Sequence, residues 1–143
     1  MNLIDYHQLL DDFYHLIKDN AREMQELIDE FRERYQPKKG EAGMFYLEAR
    51  MCSKTERKTC DVCPHTLTWR GYSWGKKFIK SSKRFARLPK NFWTTRSYET
   101  RLDFKRFQDR MLELNAQRKV LNEASKRIKM TMKMVLKHHG REK

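Results

Sequence analysis

The sequence has none of the motifs that mark the common enzyme classes. It carries no glycine-rich phosphate loop, no G-x-S-x-G, no H-E-x-x-H and no paired-histidine motif. Those absences argue against the nucleotide-hydrolysing, serine-hydrolase and zinc-protease chemistries. Carboxylates are scarce where a metal-dependent nuclease would need them, because residues 37–98 hold only Glu41, Glu48, Glu56 and Asp61. The tyrosines, Tyr98 among them, have no histidine cluster nearby to build a DNA-nicking site. A non-enzymatic protein is therefore expected. No run of ~18 apolar residues is present, so no membrane-spanning helix is expected. The opening MNLIDYHQLLDDFYHLI is acidic and periodic, without the basic start and unbroken apolar stretch of a secretion signal. The three cysteines are an odd number, which favours a reducing, cytoplasmic setting over a disulfide framework.

What the chain has in quantity is positive charge. Its 143 residues include 32 Lys or Arg against 19 Asp or Glu, a net charge of +13. The length fits one domain, 1–143. With 38% apolar and 36% charged residues, much of the chain must lie in water, as elongated helices do. The balance favours an anionic partner: DNA, RNA, an anionic membrane or an acidic protein. The charge is also uneven. Residues 1–36 carry 4 basic and 9 acidic side chains, whereas residues 37–98 carry 15 and 4.

Hydrophobic periodicity divides the chain in three. In residues 1–36, Leu3, Leu10, Ile17, Met24 and Phe31 recur every seven positions. Tyr6, Phe13, Asn20, Leu27 and Arg34 occupy the companion seam. This predicts a long helix of about 50 Å, stopped by the breakers in YQPKKGEAG. From about Tyr98 to 139 a second register runs through Phe107, Leu114, Leu121, Ile128 and Val135, with Phe104, Met111, Arg118, Ser125 and Met132 beside it. This predicts a basic helix, with Gly140 as its stop. Between them, residues 37–97 are rich in aromatic and basic residues. MFYLEARM, TLTWRGYSW (with Gly71 as a bulge or bend) and KKFIKSSKRFARLPK predict three antiparallel strands. The expected fold is α+β: two long antiparallel helices flanking a small three-stranded antiparallel sheet. Both stripes also suit a homodimeric coiled coil. Arg118, Ser125 and Asn20 would set the register in either arrangement.

The cysteines lie together in CSKTERKTCDVCPH. Cys52, Cys60, Cys63 and His65 offer three thiolates and an imidazole, a set that suits tetrahedral zinc. Arg57 and Lys58 would favour the thiolate form. The usual second cysteine pair is missing, so Cys52 must reach back across a hairpin. A polar hairpin tip with reduced cysteines is the favoured alternative. A thioredoxin-like redox site lacks its helix and α/β context. His138 and His139 are expected at a solvent-exposed helix end.

Beyond the cysteines, aromatic and basic residues interleave. Trp69 and Phe78 are expected in the core. Lys76, Lys77, Lys80, Lys83, Arg84, Arg87 and Lys90 are expected to contact phosphate. Arg70 and Arg96 are placed nearer the bases or the sheet edge.

The order of an acidic helix, Phe45-Tyr46-Leu47-Glu48-Ala49-Arg50, Leu67-Thr68-Trp69-Arg70, the Leu88-Pro89-Lys90 element and a long basic helix resembles the MobI-type proteins of conjugative plasmids and integrative elements. The similarity spans roughly residues 43–125. The resemblance implies a DNA-binding accessory factor at an origin of transfer, with duplex DNA and a relaxase as partners. The insert at 52–63 departs from that pattern. Residues CSK, CDVC and PH also echo small bacterial proteins with a C-G-K…C-x-C…H-G-P-Y-Y pattern, without the Gly-Pro-Tyr. The rival expectation is a protein-interaction adaptor, or a small zinc-stapled regulatory protein, whose helices bind a partner.

Overall fold

The computed structural model describes residues 2–35, 44–52, 60–74 and 80–141, with backbone alone at 73–74, 80–81 and 139–141. Two long helices, α1 (Leu3–Tyr35) and α3 (Tyr98–Arg141), lie against a sheet of β1 (Phe45–Arg50), β2 (Thr66–Trp74) and β3 (Lys80–Phe85). A short helix, α2 (Lys90–Thr95), follows the sheet.

Each long helix starts where its sequence offers a cap. Asn2 Oδ1 accepts the Asp5 N–H at 3.0 Å, and Asp5 Oδ2 accepts the Asn2 N–H at 3.0 Å. This reciprocal pair satisfies two donors left open by the first turn. Ser97 Oγ accepts the Thr100 N–H at 3.4 Å at the start of α3. The predicted stop at Gly140 is corrected: α3 runs through it to Arg141. A single glycine costs a helix only about 1 kcal/mol, which is too little to end one near its terminus.

The heptad stripes pair within the chain. Ile17, Asn20, Met24, Leu27 and Phe31 of α1 are buried, as are Phe104, Phe107, Met111, Leu114, Arg118 and Met132 of α3. The helices are antiparallel, with Phe31 packed edge-on to Phe104 and Phe107 at one end and Asn20 bonded to Leu114 C=O at mid-length. The opposite charges also meet. Arg106 pairs with Glu30 at 2.9 Å, Arg110 with Glu23 at 3.4 Å, and Arg34 with Asp103 at 2.9 Å.

The sheet order is β1-β2-β3, antiparallel throughout. Alternation puts Leu47, Leu67 and Trp69 on the helix side, where all three are buried. The Trp69 indole stacks on Phe104 with centroids 5.5 Å apart. The predicted core place of Trp69 is therefore correct, while Phe78 falls outside the described residues. Gly71 forms no bulge, since its pairing with Phe45 and Lys83 keeps register. Its role is close approach: a Cβ there would stand 2.7 Å from Phe45 Cε1 and 3.1 Å from Phe85 Cε2.

Two features were absent from the sequence reading. One is α2, which begins after Pro89 and buries Phe92 in the same core. The other is the end of β2. Strand β3 pairs only with Trp69–Trp74, so Leu67 has no partner from it. The Asn115 amide of α3 takes that place, accepting the Leu67 N–H and donating to the Leu67 C=O, both at 2.9 Å.

Candidate metal centre and basic edge

The β1–β2 register builds the cysteine site. Arg50 lies opposite Thr66, and the His65 N–H donates to Arg50 C=O at 3.0 Å. Cys52, two residues past β1, is thereby brought beside His65, one residue before β2. A turn at Asp61 and Val62 then folds Cys60 and Cys63 onto the same spot. The three Sγ atoms and one His65 ring nitrogen all lie within 4.8 Å of one another. Cys52 Sγ is 3.5 Å from Cys60 Sγ, and Cys60 Sγ is 3.5 Å from His65 Nε2. Neighbouring donors around tetrahedral zinc stand roughly 3.5–3.8 Å apart, given Zn–S near 2.3 Å and Zn–N near 2.0 Å. Cys52 Sγ and His65 Nε2 are closer, at 2.6 Å. All four residues are half-buried, and the three cysteines are free thiols. The four side chains can hold a metal ion.

The local electrostatics separate the thiols. The Cys60 thiol lies below its ordinary pKa because the Val62 backbone N–H bonds to its sulfur, with support from Cys63 and Cys52. Cys52 is pushed up to about 12, chiefly by its hydrogen bond to Cys60. Burial, and then the nearby Arg118 guanidinium, push the His65 pKa down. That keeps the ring neutral, as a metal ligand must be.

The knuckle is fastened to both long helices. The Tyr14 hydroxyl of α1 donates to the Asp61 carboxylate, which lowers the Asp61 pKa. Arg118 of α3 donates to Val62 C=O, to Pro64 C=O at 3.3 Å and to Asn20 Oδ1 at 3.1 Å. A groove of about 460 Å³ runs alongside, lined by Tyr14, Val62, His65, Arg118, Lys126 and Lys129 among others.

The predicted phosphate contacts fall at the other edge of the sheet and divide by partner. Lys83, Arg84, Arg87 and Lys90 are exposed on β3 and the turn to α2. Among the described residues, no carboxylate lies within 4.0 Å of Lys83, Arg87 or Lys90. Arg84 is 3.8 Å from Glu48. Arg70, on the sheet face away from the helices, is bound to Glu48 through Nε and Nη2 and donates to Ser82 at 2.9 Å. Its charge is thus neutralised within the sheet. Arg96 lies over the Phe92 ring at 5.2 Å and, with Lys83, lines a cleft of about 400 Å³ walled by Phe45, Phe85 and Pro89. Lys76, Lys77 and the Lys80 side chain lie outside the described residues.

No family model, curated protein or solved structure matches this chain.

Sequence reasoning read Arg118 only as a register-setting seam residue and Tyr14 only as a residue widening the α1 stripe, and it did not single out Asn115. The one available signal was a charged residue within an apolar stripe. Nor did it single out Lys119, Lys126, Arg127, Lys129, Lys133 and Lys137, which are exposed along the far half of α3. No helix among the described residues is long and apolar enough to cross a membrane.

Proposed function

We propose that this protein is a non-enzymatic factor that binds duplex DNA through its β3–α2 edge, on a sheet held to the helix pair by a zinc-stapled knuckle. The observation that carries the reading is the way ion pairs are distributed. The acidic side chains of α1 neutralise Arg106 and Arg110 of α3. Glu48 neutralises Arg70. Among the described residues, Lys83, Arg87 and Lys90 have no carboxylate within 4.0 Å, and all three are exposed along one edge. Unpaired cations in water gain most from a polyanion, because each phosphate they neutralise releases a condensed counterion. Edge-strand lysines also discourage strand-to-strand aggregation, but that role does not account for Arg87 in the turn beyond β3 or for Lys90 at the start of α2.

Zinc is the metal of choice for three thiolates and an imidazole gathered within 4.8 Å of one another. The MobI-type resemblance would make the DNA an origin of transfer and the protein partner a relaxase. An acidic protein surface is the alternative ligand for the same cations.

Two measurements test the reading. Fluorescence anisotropy with a short duplex at ~150 mM salt should show binding well above that of an unrelated basic protein. Equal binding would move the function to the adaptor class. Protein purified without a histidine tag should contain close to one zinc per chain, and a value near zero removes the metal from the reading.

A further inference from the structure

We infer that Arg118 is the counter-charge of the metal–thiolate centre, so that loading the metal fastens the β1–β2 knuckle to the middle of the α1–α3 pair. This rests on the zinc reading and extends it from a local staple to a tertiary one.

Arg118 is 2% exposed, in mid-helix, with no carboxylate within 4.0 Å among the described residues. Its guanidinium meets only neutral groups. Nη1 faces Ile17 C=O, Asn20 Oδ1 and Pro64 C=O, and Nη2 faces Val62 C=O and His65 Nδ1. Nε is buried without a hydrogen-bond partner. Carbonyl dipoles alone are poor compensation for a buried cation, which is normally paired with an anion. Cys60, Cys63 and Cys52 lie close enough to act on this guanidinium through space once they are ionised. Zinc with three thiolates and a neutral imidazole carries a net charge of −1. One such centre balances one guanidinium. With all three thiols protonated and no metal, the four candidate ligands are neutral, and among the described residues Arg118 has no carboxylate within 4.0 Å to balance it.

The geometry places this charge pair at a junction. Arg118 belongs to α3, Ile17 and Asn20 to α1, and Val62 and Pro64 flank Cys63 in the knuckle. A single side chain therefore touches all three elements, and metal binding at one is felt by the other two. Were a metal held through Nε2, the His65 ring proton would sit on Nδ1 and face the Arg118 donor, so loading would give up that one hydrogen bond for the charge pairing and leave Val62 C=O as the Nη2 acceptor. A neutral donor of similar reach would satisfy the carbonyls but not the charge, and this is what separates a counter-charge from a packing role.

The experiment compares metal affinity in the full chain and its Arg118→Gln and Arg118→Lys variants, by competition with a chromophoric chelator. Co²⁺ serves as a second probe, because its thiolate charge-transfer and d–d bands report the ligand set. Partners outside the ligand shell of a metal commonly control 10–100-fold of its affinity. Arg118→Gln should lose about that much while keeping the Co²⁺ bands of three sulfurs and one nitrogen. Arg118→Lys should lose less, since it keeps the charge. If Arg118→Gln binds zinc as tightly as the parent, the inference fails while the zinc reading stands. If the parent gives no thiolate bands with Co²⁺, the zinc reading fails and takes the inference with it. Should Arg118→Gln not fold, hydrogen exchange on the parent decides. Removing zinc should speed exchange at the amides around Asn20 and Arg118, and acceleration confined to residues 60–65 would refute the coupling.

Discussion

Replacing Lys83, Arg87 and Lys90 together with alanine should flatten the salt dependence of DNA binding by a calculable amount. Each phosphate neutralised contributes about −0.9 to the slope of log K against log salt on B-form DNA. Three cations with no carboxylate partner among the described residues therefore account for a slope change of about 2.7 if all three touch phosphate. The structure supplies the contrasting control. Arg70 is already spent on Glu48, with its Nη2 at 3.2 Å from Glu48 Oε1. The paired replacement Arg70→Met with Glu48→Gln removes one charge of each sign and should leave the slope where it was. Anisotropy titrations of one duplex between 50 and 250 mM salt would measure both. Circular dichroism would confirm that the helices persist, as expected for exposed positions. A triple variant with the parental slope would refute the phosphate assignment. A large slope change in the Arg70/Glu48 pair would show that the internal ion pair opens on binding and that the division of the cations is wrong.

Other perturbations test the scaffold and the knuckle. Asn115→Ala strips the Leu67 N–H and C=O of their partner and should destabilise the protein by about 1–3 kcal/mol, read as a lower urea midpoint; an unchanged midpoint would mean that water replaces the amide. Gly71→Ala puts a methyl 2.7 Å from Phe45 Cε1 and should cost about 1–3 kcal/mol by overpacking. Pairing it with Phe45→Leu should recover part of that loss, and strict additivity would show that the ring is not the obstacle. The pH dependence has a definite sign. Burial, then Arg118, hold the His65 pKa below its ordinary 6.5 in the folded chain, so the unfolded chain takes up that proton first as pH falls. Metal-free protein should keep the His65 contribution above about pH 6.5 and lose it as the pH drops through the lower folded value. Urea midpoints at pH 7.5 and 5.5 should therefore differ more for the parent than for His65→Gln, and equal differences would contradict the assignment.

Much of this protein is determined by periodicity within its own sequence. The seven-residue stripes of α1 and α3 and the two-residue alternation of Thr66–Trp74 depend on neighbours only a few positions away, so they are legible without coordinates. The segregation of charge between residues 1–36 and the rest is equally local, and with the stripes it suits an antiparallel pair of opposite sign, although the stripes alone suit a homodimeric coiled coil as well. Short α2 lacks a long enough repeat to announce itself, and it forms because Phe92 finds the core already built by Trp69 and Phe104.

The sites are another matter, because their partners are far apart in the chain. Strand register, set by which residues face the helices, brings Cys52 to His65 and Glu48 to Arg70, and so it assembles a candidate metal site and neutralises one of the cations expected to contact DNA. Helix register carries Arg118 to carbonyls 54 and 56 positions earlier. The residue types for binding metal and anions are thus present in the sequence. Which of them meet, and which cations remain free, is settled only by tertiary packing, because an ion's partner is whatever lies within a few ångströms in space.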